Sequence, residues 1–115
     1  MSTTRYSVGE EVTIASGQTT SGAFSTADFA WGEVTFPAAL TGTTISYLKQ
    51  TKKDGAFTPV YYPSPMVEAD TLVTSTFRAS VNTRIPDAAF GGLAMKIVSA
   101  SSEGAVRVFE VYCHS

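Results

Sequence analysis

Residues 31–62 read WGEVTFPAALTGTTISYLKQTKKDGAFTPVYY, and this stretch constrains the fold more than any other. A first run ends at Phe36-Pro37, the chain passes through Thr41-Gly42-Thr43, and a second run, TTISYLKQT, follows. An Asp54-Gly55 turn then leads into a third run that closes on Tyr61-Tyr62. In the second run Ile45, Tyr47 and Lys49 alternate with Thr44, Ser46 and Leu48, which is the two-residue period of a pleated strand. Three such runs joined by turn residues point to an all-β domain.

The pattern continues on both sides. Residues 11–15 alternate and stop at Ser16-Gly17, and residues 19–25 hold only Ala23 and Phe24 as an apolar body, as a short edge strand would. Residues 30–36 form a strand with Trp31, Val34 and Phe36 as core candidates. Pro37 and the following Ala38-Ala39-Leu40 predict a single helical turn closed at Gly42. Pro59 removes a ladder donor and assigns its run to an edge or a bulge. Residues 71–79 and 80–85 are extended, Pro86 ends them, and Asp87-Ala88-Ala89-Phe90 reads as a short helical turn released by Gly91-Gly92. Residues 93–99 set Leu93, Met95 and Ile97 on one face. Residues 105–113 set Val106, Val108, Glu110 and Tyr112 against Arg107, Phe109, Val111 and Cys113. The expected fold is a two-sheet antiparallel β-sandwich of about eight strands, with a jelly roll as its sharper form. Residues 1–9 are polar and form an N-terminal arm or edge segment; residues 10–115 form a single β-sandwich domain.

Composition excludes several functions. The net charge is −2, whereas a phosphate-binding face needs clustered Lys and Arg, so nucleic acid is not an expected partner. Charged residues make up only 16% of the chain, below the roughly 25% usual in globular proteins; Ser and Thr supply the polarity, which suits packing against another protein. No run reaches the roughly 18 apolar residues of a membrane span, and the start, MSTTRYSVGEE, has no apolar stretch of a signal peptide. Neither membrane insertion nor export is expected. Cys113 is the single cysteine, so no intrachain disulfide forms.

The residues of catalysis are sparse. His114, the one histidine, sits at the frayed end of the chain, too loosely placed to serve as the base of a triad. Cys113 and His114 adjoin but find no further Cys or His to complete a zinc site. Most carboxylates, Glu103 among them, fall at turns or strand ends where solvation explains them; Glu33 and Glu110 lie within strands and are the one pair worth considering for acid–base work. Glu68-Ala69-Asp70 lacks the dense oxygen pattern of a calcium loop. No catalytic residue, metal or cofactor is therefore expected. The residues with a binding reading are Lys52, Lys53 and Asp54 at the hairpin tip, which read first as solvated turn charges and more sharply as a partner or small-anion contact, and Tyr61 and Tyr62, of which one faces solvent and could stack on a sugar. Trp31 and Tyr47 read as core aromatics.

Three phrases, TIASGQTTSGAFS, VTFPAALTGTTISYLKQTKKDGAFTPVYY and IPDAAFGGLAMKIVSASSEGAVRVFEVY, together resemble small structural proteins of tailed bacteriophages. The likeness is carried by residues 37–43, 54–61, 86–90, 95–99 and the closing strand around Arg107. It implies a jelly-roll capsid decoration (cement) protein: non-enzymatic, made in the host cytoplasm, and located on the outer capsid surface of the virion. It further implies that the protein binds the major capsid protein as a dimer or trimer and stabilises the shell. The alternative from another class is a sugar-binding or adhesin-type module of a tail fibre or other virion appendage, with a carbohydrate ligand.

Overall fold

The structure is a computed structural model; it describes residues 7–62 and 71–115. Eleven strands follow in order: β1 (Ser7–Ile14), β2 (Phe24–Ser25), β3 (Trp31–Thr35), β4 (Thr44–Gln50), β5 (Thr58–Pro59), β6 (Tyr61–Tyr62), β7 (Thr71–Leu72), β8 (Thr74–Thr76), β9 (Asn82–Arg84), β10 (Ala94–Ser99) and β11 (Arg107–His114). A 3₁₀ turn, Asp87–Ala89, precedes β10. One sheet has the order β1-β11-β3-β9; the other has the order β2-β10-β4, with β5 and β8 both paired to β4; β6 and β7 make a two-stranded ribbon. All pairings are antiparallel.

The connectivity is that of a jelly roll. Counting β5 to β8 as one interrupted position, the first position pairs with the last (β1 with β11), β2 with β10, β3 with β9, and β4 with the interrupted position. That is one long hairpin rolled into two sheets. The expected count of about eight strands thus holds for the positions, and the eleven strands arise because the fifth position leaves the sheet and returns. β5 pairs Thr58 and Pro59 with Lys49 and Leu48. The chain then peels away through Val60 into β6, returns as β7, and rejoins β4 where Thr74 faces Ser46. Val60 N–H still donates to Tyr47 C=O at 3.1 Å, and Val73 N–H donates to Val60 C=O at 3.0 Å, so the base of the excursion is hydrogen-bonded to the sheet. Pro59 sits at an edge, as its missing donor requires.

The core lies between the inward faces. The first sheet supplies Val12, Ile14, Val34, Phe36, Phe109 and Val111, and the second supplies Ile45, Tyr47, Met95 and Ile97. Phe36 packs edge-on against Phe77 and Phe109, with centroids 5.5 and 6.1 Å away. Tyr47 is fully buried, and its hydroxyl meets Ser75 Oγ at 2.7 Å. Burial pushes this phenol up to about 12; the Ser75 bond opposes that and the neighbouring Tyr62 adds to it.

Five local expectations are corrected. Trp31 is not a core residue: it is half-buried on the outer face, because β3 alternates and Val34 and Phe36 hold the inner one. Leu93 lies before β10 and is exposed, and the inward residues of that strand are Met95, Ile97 and Ser99. Residues 37–43 form bends rather than a helical turn, because their amides serve other loops. His114 is no frayed tail but the last residue of β11, opposite both Ser7 and Trp31. Glu103 is not a solvated turn carboxylate; it is 1% exposed. Within residues 1–9, Ser7 to Gly9 already belong to β1, and residues 1–6 lie outside the described residues.

Candidate functional site

Two sites stand out, one closed and one open. The closed one gathers the connections at one end of the sandwich around Glu103. Thr41 N–H donates to its Oε1 at 2.8 Å and Gly42 N–H to its Oε2 at 3.1 Å. Ser99 Oγ donates to Oε2 at 2.7 Å and Arg107 Nε to Oε1 at 2.8 Å. The backbone of Glu103 also receives Gly17 N–H at 2.7 Å and donates to Gln18 C=O at 3.0 Å. One residue therefore ties the β1–β2, β3–β4 and β10–β11 connections together. Burial alone would raise its carboxyl, but the donors from Thr41, Arg107, Ser99 and Gly42 more than offset that and bring it down to about 2. Every acceptor position that matters is taken, so Glu103 is a structural clasp with no capacity left for a substrate.

The open site lies along one side, where β8 ends one sheet and β9 ends the other. On either side of β9, Ile85 N–H donates to Gly32 C=O at 2.9 Å and Phe36 N–H to Val81 C=O at 3.0 Å. The alternation of an antiparallel ladder then turns the N–H and C=O groups of Asn82 and Arg84 away from β3. Just after β8, Phe77 N–H donates to Thr43 C=O at 2.9 Å, and the same alternation turns the backbone groups of Thr74 and Thr76 outward. Between these two edges runs a cleft of about 560 Å³, with Phe36, Ser75 and Thr83 inside it and Arg78 at one end. Residues 78–81 form the turn that closes this end: Val81 N–H donates to Arg78 C=O at 3.2 Å, and Ser80 takes a left-handed φ of 57°. At the other end Arg84 and Pro86 continue the cleft into a second hollow of about 380 Å³ bounded by Tyr62 and Asp87.

The charges in the cleft are unequal. Arg84 Nη2 binds Asp87 Oδ1 at 3.1 Å, and its guanidinium lies 4.9 Å from the centre of the Trp31 ring. Trp31 also stacks on His114 at 4.2 Å, and His114 Nε2 lies 3.5 Å from Glu33 Oε2. Arg78 is exposed and makes no ion pair among the described residues. The cleft thus offers one uncommitted cation, several hydroxyls and two rows of backbone donors and acceptors.

The residues singled out in the sequence fall in two separate places. Lys52, Lys53 and Asp54 form the exposed turn between β4 and β5, closed by Gly55 N–H donating to Lys52 C=O at 2.8 Å, with Asp54 at φ 59°. Tyr61 and Tyr62 are on the ribbon, 48% and 46% exposed, together with Leu72 at 38%. Both tyrosines face solvent, not one of the two, because a two-stranded ribbon outside the sandwich has no covered face. Tyr62 bounds the second hollow, beside Arg84 and Asp87. Glu33 and Glu110 share the outer face of the first sheet, where Glu33 Oε2 lies 3.5 Å from His114 Nε2 and Glu110 stands opposite Glu11. Glu68 and Asp70 lie outside the described residues. Among the described residues, no group of three or more His, Cys, Asp or Glu could hold a metal. The sequence reading missed Arg78, Arg84 and Asn82. The signal was present: TST and NTR are polar strands flanking a turn, and short strands without an apolar face belong at sheet edges.

No family model and no curated protein matches this chain. Among solved structures it is similar to the SPBc2 prophage-derived protein YomS, with a TM-score of 0.65 at 11% identity. The likeness covers 100% of this chain and 98% of that one. The two share a fold from end to end.

Proposed function

We propose that this chain is a non-enzymatic structural protein of a bacteriophage virion, which decorates the outer capsid surface and stabilises the shell. The end-to-end fold likeness to a prophage-derived protein supports the phage part of this reading. The exposed ribbon supports it: Tyr61, Tyr62 and Leu72 are large apolar side chains held away from the core, an arrangement suited to docking on another protein. Many copies that bind only the assembled shell would shift its stability by mass action. The exposed rings of Tyr61 and Tyr62 also favour a second reading, a sugar-binding module of a virion appendage.

The test mixes purified protein with expanded phage heads and, separately, with host glycans, and follows co-sedimentation. Saturating binding to heads that raises their melting temperature is the expected result. Glycan binding abolished by Tyr62→Ala, with no head binding, would sink the decoration role in favour of an appendage module.

A further inference from the structure

We propose that the cleft between β8 and β9 binds an extended acidic peptide segment, which adds to the β9 edge as an extra strand. Three observations converge. The edge is open: Asn82 and Arg84 turn a backbone donor and acceptor each toward the cleft, the spacing that an incoming strand needs for a ladder. The charge is unbalanced: Asp87, the carboxylate at this site, is held by Arg84, so Arg78 remains to meet an anionic side chain. The other long edge is closed to such a partner. β1 exposes Glu10 and Glu11, and Glu110 already stands opposite Glu11, so an acidic strand there meets like charge. The rim hydroxyls of Thr74 and Thr76 and the apolar contact of Phe36 and Val81 complete a slot for alternating acidic and apolar side chains.

The identity of the partner, an exposed acidic segment of the shell protein, rests on the virion reading; the ligand chemistry of the cleft does not. The experiment titrates the full chain with a short labelled peptide alternating valine with glutamate and aspartate, and with the same peptide in its glutamine and asparagine form. The acidic peptide should bind about tenfold more tightly, and Arg78→Glu should abolish or reverse that preference. Asn82→Pro removes the outward N–H without touching the Thr83 ladder position, and should weaken both peptides about equally. Hydrogen exchange should slow at the amides of Asn82 and Arg84. Equal affinity for the two peptides, indifference to Arg78→Glu, or displacement by an oligosaccharide would overturn the assignment. Equal binding by a peptide copying residues 66–70, together with self-association of the chain, would overturn the shell protein as the source in favour of a second copy. Head binding that survives Arg78→Glu and Asn82→Pro removes the cleft from the docking role and leaves decoration standing. Peptide binding without head binding does the reverse.

Discussion

The clasp around Glu103 and the cleft between β8 and β9 use the same kinds of group to opposite ends. At the clasp, backbone amides, a hydroxyl and a guanidinium all converge on one buried carboxylate, and nothing is left over. At the cleft, backbone amides, hydroxyls and a guanidinium stand around an empty space of about 560 Å³ with no matching carboxylate. In the first region polar groups are satisfied internally and fix three connections of the jelly roll. In the second they are left for water or for a partner. The difference teaches that hydrogen-bonding capacity reads as stability where it is closed and as recognition where it is open.

The largest effect should come from breaking the clasp. Glu103→Ala strands the amides of Thr41 and Gly42 and the Arg107 guanidinium, and should cost about 3–5 kcal/mol, as loss of one partner of a buried ion pair does. Urea denaturation followed by Trp31 fluorescence would measure it; a loss under about 1 kcal/mol would mean that water replaces the carboxylate and that the connections are not tied through it.

Acid attacks the same point without removing the side chain. The Glu103 carboxyl titrates at about 2 in the folded chain and at its ordinary 4.5 when free. The unfolded chain therefore takes up this proton first, so the stability the clasp contributes is whole above pH 4.5 and is lost as pH falls toward about 2. Glu103→Gln should start less stable at neutral pH and lose less stability than the parent across that window. Parallel slopes for the two proteins would contradict the account.

A smaller break comes from the loop that wraps the carboxylate. A Cβ on Gly42 would collide with Ser99 Oγ and approach Ala100 N to 3.0 Å. Gly42→Ala should destabilise by about 1–3 kcal/mol, as overpacking does. Gly104→Ala is the control, since nothing lies within 4 Å of its Cβ position. Equal thermal midpoints for the two variants would show that the Gly42 loop can move away from Ser99 at no cost.

The two regions also differ in how far the sequence announces them. Alternation in β4 and β11 reveals the inner face directly, because Ile45 and Tyr47, or Phe109, Val111 and Cys113, recur at the strand period and are buried in the structure. The same rule sets Trp31 on the face opposite Val34 and Phe36, although its hydrophobicity alone points to the core. Glu103 was illegible for a different reason. Its partners stand 4, 61 and 62 residues away in the chain, and a glutamate in the stretch SSEG looks solvated until three loops converge on it. The cleft was half legible. Pro59 marks an edge and Tyr61-Tyr62 a binding surface, but the meeting of β8 with β9 depends on the roll of the whole hairpin, which no local pattern encodes.

The smallest effect on stability belongs to the open region, and it separates the two most cleanly. Tyr62→Ala and Arg78→Glu remove exposed side chains, so each should shift stability by no more than about 0.5 kcal/mol. Tyr62 touches the cleft end without filling the core, although it lies near enough to Tyr47 to raise that phenol. If the ribbon merely braced the sandwich, Tyr62→Ala would lower the thermal midpoint and leave head binding intact. If it serves recognition, head binding falls while the midpoint stays. Measuring both quantities on one variant decides between these roles, because a packing residue and a contact residue move them in opposite proportion.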